Sequence, residues 1–159
     1  MCFERDFKKK KNSIIFLSVG EIDCRPDEGI IPAALKRGEL PSDVARETVR
    51  KYLGWLLLIE KKTKHQFYIF NIAAPKYDDR FTREKNNEVS EIIRVFNSCL
   101  AEFSKPANAT IIDVHSMTND KHGFSSGELF CDNRHLSVIA LKHIEKQMMP
   151  DREAISQLV

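Results

Sequence analysis

The chain has 159 residues, 42% of them hydrophobic and 30% charged, which suits one globular domain with a buried core and argues against a disordered or fibrous chain. Its 25 Lys and Arg against 23 Asp and Glu leave a net charge of +2, too weak a field to point to nucleic acid or to a membrane surface. Cys2, Cys24, Cys99 and Cys131 are widely spaced with no CxxC pair, no apolar run is long enough to span a bilayer, and no apolar stretch precedes Ser13 as a signal peptide requires. A reduced, cytoplasmic location is therefore expected.

Residues 1–12 hold the basic run Lys8–Lys11 and read as a solvated arm. Ser13–Val19 (SIIFLSV) is apolar, rich in β-favouring residues and closed by Gly20, the pattern of a buried parallel strand. From Ser42 as N-cap, Ala45, Val49, Tyr52, Leu53, Leu56 and Leu57 recur at helical spacing, with Trp55 beside them and Lys61, Lys62 and Lys64 at the end where the helix dipole favours cations. Gln66–Ile72 reads as a second strand, followed by a loop with Pro75, Asp78 and Asp79. Thr82 is placed to cap a second helix whose inward face is Val89, Ile92, Ile93, Phe96, Leu100 and Phe103, with Pro106 stopping it. Ala109–Val114 is a third strand, 115–134 a long polar loop, and a last helix from about Ser137 turns Leu136, Ile139, Ala140 and Ile144 inward. A domain over 13–149 and a tail over 150–159 are expected.

Strand and helix alternate throughout, so the fold class is α/β with a parallel sheet covered on both faces and right-handed crossovers. In such sheets ligands bind outside the carboxyl ends of the strands, which predicts that loops 20–30, 73–81 and 115–135 line one crevice.

The most specific fragment is Asp132-Asn133-Arg134-His135-Leu136-Ser137, a DxxHLS motif just before the last helix. The three-residue offset lets the carboxylate turn back and accept a hydrogen bond from the imidazole Nδ1, fixing the tautomer and leaving Nε2 as a general base toward a hydroxyl. On spacing alone an Asp capping a helix beside a surface His is the better reading. The second fragment is Gly20-Glu21-Ile22-Asp23-Cys24-Arg25, directly after the first strand.

Together the two fragments resemble the SGNH hydrolase superfamily of GDSL-like esterases, over about Ser13 to Met148, and GEIDCR resembles the third block of a subgroup often linked to surface polysaccharide. The resemblance implies a three-layer, flavodoxin-like α/β/α fold and a serine esterase acting on acyl or acetyl esters, with carbohydrate esters among the candidates. It implies His135 as general base, Asp132 as its orienter, and Gly20, Glu21, Asp23 and Arg25 as the substrate-facing turn, with no metal or cofactor. Two departures bear on activity. Ile22 stands where the family's third block has an oxyanion-binding Asn. The twelve residues before Ser13 contain no Ser and leave no room for the family's nucleophile block. The expectation is an N-terminally incomplete esterase domain, with a non-catalytic module that binds a ligand or partner as the alternative. An exposed sheet edge that invites self-association is also expected.

Other groups have plainer readings. Ser116, Ser125 and Ser126 are expected to be turn residues. Cys24 and Cys131 read as buried thiols, with a low-pKa Cys24 next to Arg25 as the less favoured option. Arg25 pairs with Glu21 or Asp23 or meets a substrate, a choice the sequence leaves open. His115 with Asp23, Asp132 and His135 is a weak metal candidate, and His65, His122 and His143 read as surface groups.

Overall fold

The structure is a computed structural model and describes residues 12–105, 109–132 and 135–148. Strand β1 (Ile14–Ser18) leads to α1 (Ile30–Arg37) and α2 (Pro41–Thr63); then come β2 (Gln66–Phe70), α3 (Arg83–Ser104), β3 (Ala109–Ile112), the short α4 (Val114–Thr118), a 3-10 turn (Val138–Ala140) and α5 (Leu141–Met148). The expected basic arm, Pro106, Asn133, Arg134 and the tail lie outside the described residues.

The strands form one parallel sheet in the order β1-β2-β3, with Ile15 opposite Phe67 and Ile69 opposite Ile111. Strand side chains alternate between faces, and the two faces are covered unequally. Ile15, Leu17, Phe67, Ile69 and Ile111 pack with Val49, Leu53, Leu56, Ile92, Phe96 and Leu100 of α2 and α3 in the main core. On the opposite face Tyr68, Phe70 and Ile112 meet Leu136, Ala140 and Ile144 in a smaller cluster. The α/β class with helices on both faces of a parallel sheet is thus observed.

Several local expectations need correction. Helix α2 starts at Pro41, one residue before the expected Ser42 cap; Leu40 is the N-cap without a side-chain bond, since proline at the first helical position has no N–H to satisfy. Helix α1 was not expected: its Pro32 sits in the first turn, where proline is tolerated, and Gly38 in the left-handed region closes it. β2 stops at Phe70 and β3 at Ile112, earlier than expected, because the following residues are bound by side chains. Asn97 holds both backbone groups of Ile72, and Asp113 caps α4 through the Ser116 amide at 3.0 Å.

His65 is not a surface group. It is 1% exposed, accepts a hydrogen bond from the Ser13 amide at Nδ1 (3.1 Å) and meets Phe67 edge-on, because strand alternation puts residues 65, 67 and 69 on the buried face. Ile139, expected inward, is 59% exposed. The segment starts as a 3-10 turn, whose tighter winding rotates this residue off the face that a 3.6-residue period assigns it. Thr82 does cap α3, accepting from the Lys85 amide at 3.2 Å.

Candidate functional site

A cleft of about 960 Å³ opens at the carboxyl ends of the strands. Its walls come from three loops: Glu21, Cys24, Arg25 and Pro26 after β1, 71–81 after β2, and Phe130, His135 and Leu136 before the last helix. Val89 and Ile93 of α3, Ile144 of α5 and Ser18 at the end of β1 complete it. These are parts of the three loops that the strand pattern assigned to one crevice.

Each wall is held by its own hydrogen bonds. Buried Asn86 accepts from the Asp78 amide at 2.9 Å and donates to the Asp78 and Thr82 carbonyls at 3.0 Å each, tying the 78–82 loop to α3. Arg80 forks onto Asp78, with Nη2 2.6 Å from Oδ2, and the Tyr77 ring meets Phe124 edge-on at 5.3 Å. The last loop closes on itself: the Cys131 amide donates to the His135 carbonyl at 2.9 Å and the Ser137 amide to Leu129 at 2.8 Å.

Inside that closed loop the two DxxH side chains meet. His135 Nδ1 is 2.6 Å from Asp132 Oδ2, while the other carboxylate oxygen accepts the His135 amide at 2.7 Å. One carboxylate therefore fixes both the ring and the backbone that carries it. With the proton of the neutral ring on Nδ1, Nε2 presents its lone pair, and the His135 side chain is 78% exposed at the cleft wall. Such an imidazole can take a proton from a hydroxyl placed beside it.

The GEIDCR turn divides its residues. Glu21 and Arg25 line the cleft and bind each other through two bonds, Nε to Oε1 at 3.0 Å and Nη2 to Oε2 at 2.9 Å, with Glu28 on the remaining nitrogen at 3.2 Å. The guanidinium thus pairs with Glu21, and the geometry is the bidentate one. Gly20 and Asp23 are not on the cleft wall. Gly20 has φ +88°, and a Cβ there would lie 2.6 Å from Phe96 Cζ, so it lets α3 approach the sheet. Asp23 supports the turn through its carbonyl, which accepts the Ile30 amide at 2.8 Å. Ile22 is 59% exposed.

Cys24 is 1% exposed, and burial pushes its thiol far above the usual range, with Asp23 and Glu21 adding to the effect. It is the inert, buried thiol of the favoured reading, and Arg25 does not activate it. Cys131, expected to be buried, is exposed; it lies in the closed loop, where its Sγ donates to the His135 carbonyl at 3.4 Å.

The serines weighed from sequence do turn work. Ser116 Oγ donates to Asp113 at 2.6 Å, Ser125 Oγ accepts the Gly127 amide at 3.0 Å, and Ser126 Oγ accepts from Glu128 at 3.4 Å; none lines the cleft. The described serine on the cleft wall is Ser18, which sequence reading passed over as a strand residue. The signal was available, since residues at carboxyl ends of parallel strands face the ligand crevice.

On the cleft wall, Asn71 joins the ends of β2 and β3: Nδ2 donates to Asp113 Oδ1 and Oδ1 accepts the His115 amide, both at 2.9 Å. Burial would raise the Asp113 carboxyl, but bonds from Ser116 and Asn71 outweigh it and hold it below its usual value. Burial lowers the His115 imidazole, with Arg94 reinforcing the shift and Asp113 opposing it. Among the described residues no group of three or more His, Cys, Asp or Glu converges as a metal site, and no helix is long and apolar enough to cross a membrane.

No known protein-family profile matches this chain, and no curated protein is significantly similar to it.

Proposed function

We propose that this chain is an acyl-ester hydrolase domain of the SGNH type, with His135 as general base and Asp132 as the carboxylate that orients it. The observation that carries the reading is the 2.6 Å contact between His135 Nδ1 and Asp132 Oδ2, at the wall of a cleft on the carboxyl side of a parallel sheet. In the reaction, a hydroxyl attacks the ester carbonyl and passes its proton to His135 Nε2. The imidazolium, steadied by Asp132, returns that proton to the leaving alkoxide, and water repeats the cycle on the acyl intermediate. Tyr77, Phe81, Asp78 and Arg80 on the cleft wall offer ring faces and hydrogen-bonding groups together, which suits an ester carried on a sugar.

The test is hydrolysis of p-nitrophenyl acetate and of an acetylated sugar by the full chain, against His135→Ala and Asp132→Ala. Loss of about 100-fold or more in both variants is the expected result for a working general base. Ser18→Ala is the third arm: its loss of activity locates the hydroxyl on β1, and its retention means that the hydroxyl comes from elsewhere in the chain or from another chain. A folded chain with no turnover on either ester sinks the catalytic reading. That outcome favours a ligand-binding module, which the exposed Ile22 in place of an oxyanion donor already supports.

A further inference from the structure

Strand β1 ends the sheet among the described residues, and its free side is unusually well made for another strand. In a parallel pair the N–H and C=O of one residue point the same way and alternate along the strand. The Ser13 carbonyl accepts the Gln66 amide at 3.0 Å and the Ser13 amide donates to His65, so residue 13 faces β2. The backbone groups of Ile14, Phe16 and Ser18 therefore point to the open edge.

The side chains of these same three residues lie on the sheet face of Tyr68 and Phe70, the face on which α5 packs over β3 at the far side of the sheet. Ile14 is 58% and Phe16 51% exposed, and the Phe16 ring stacks on Tyr68 at 5.4 Å and leans on Phe70 at 6.2 Å. No charge interrupts Ser13–Val19, so the edge has none of the lysines or prolines that usually block edge-to-edge pairing.

We propose that two copies of this chain join through β1, antiparallel, with Phe16 on the two-fold axis. That register exchanges both backbone bonds between the two Phe16 residues and pairs Ile14 with Ser18 on each side of them. Charge favours this orientation. Exposed Lys64 lies at the Ser13 end of β1, where the Asn12 amide meets the Thr63 carbonyl, and the run Lys8–Lys11 comes before that strand in the sequence. Glu21, Asp23, Asp27 and Glu28 follow the other end, with Arg25, paired to Glu21 and Glu28, the single cation among them, so that end stays net negative. Antiparallel order sets the basic end of each copy against the acidic end of the other, whereas parallel order sets like against like. The pairing also completes the cleft wall, because Ser18 lies both on the cleft and on the edge and gains Ile14 of the partner subunit as its neighbour.

Sedimentation equilibrium of the full chain at about 100 µM, where a micromolar dimer is saturated, should give twice the 18.3 kDa chain mass. Residue-resolved amide exchange should show Ile14, Phe16 and Ser18 protected together with Ile15 and Leu17. Phe16→Pro removes an outward N–H without touching the β2 pairing, and Ile14→Lys puts a charge on the edge. Each should weaken the dimer by about tenfold or more while leaving the far-UV circular dichroism unchanged. A single-chain mass overturns the proposal, even if the three amides are protected, since another part of the chain then covers the edge. A dimer with those amides exchanging freely, or one that both folded variants leave at full affinity, also overturns it.

Discussion

Asn97, on α3, holds both backbone polar groups of Ile72: its Oδ1 accepts the Ile72 amide at 2.9 Å and its Nδ2 donates to the Ile72 carbonyl at 2.8 Å. Both residues are buried, at 8% and 6% exposure, so water cannot take over either bond. This clamp is what ends β2 and turns the chain into the cleft loop.

Asn97→Ala should therefore cost about 2–4 kcal/mol in unfolding free energy, because it leaves a buried donor and a buried acceptor unsatisfied at once. Urea unfolding of the variant measures it. A loss no larger than that of an ordinary surface substitution, within about 0.5 kcal/mol, would show that the clamp is not needed.

The pairing of Asp132 with His135 predicts a tautomer. Imidazole 15N shifts at high pH should place the proton on Nδ1 in the wild type, and Asp132→Ala should redistribute it toward Nε2, the form that free imidazole rings in water prefer. A wild-type ring already protonated on Nε2 would remove the basis for general-base action at that atom.

Much of the frame was legible in the sequence because periodicity reports burial directly. Phe67 and Ile69 alternate with Tyr68 and Phe70, and Val49, Leu53 and Leu56 recur at helical spacing; the sheet and α2 follow. Helix α1 escaped because it is only eight residues long and carries Pro32, although proline in a first turn is tolerated. Helix α4 escaped because five residues are too few for a period to show. Asp132 and His135 were found because both partners lie within four positions of each other. Asn71 with Asp113 and Asn97 with Ile72 join residues 42 and 25 positions apart, and such pairs become visible only once the sheet brings them together.

Gly20 and Phe96 make the second structural prediction. With φ at +88° and the Phe96 ring against its Cα, Gly20 tolerates neither the conformation nor the volume of a side chain. Gly20→Ala should destabilise the fold by about 2–4 kcal/mol from backbone strain and overpacking combined. Adding Phe96→Leu removes the ring atoms in the way but not the backbone strain, so the double variant should lose less than the sum of the two single losses. Strict additivity in thermal unfolding would mean that the two residues do not press on each other.

His115 sets a pH dependence. Its Nε2 is buried without a hydrogen-bond partner among the described residues, and burial, reinforced by Arg94, holds its pKa below the ordinary histidine value. The unfolded chain, with a histidine pKa near about 6.5, then binds a proton more readily than the folded one. The stability that the neutral ring contributes is complete above about pH 6.5 and is lost as pH falls from there through the lower folded value. The unfolding midpoint should accordingly drop between about pH 7.5 and 5, and His115→Gln, which cannot take up a proton, should flatten that part of the curve. Asp113 does not account for a drop in this window. Its carboxyl is held below its usual value, so its own contribution is lost only below about pH 4. An unchanged pH profile in His115→Gln would place the titrating group elsewhere.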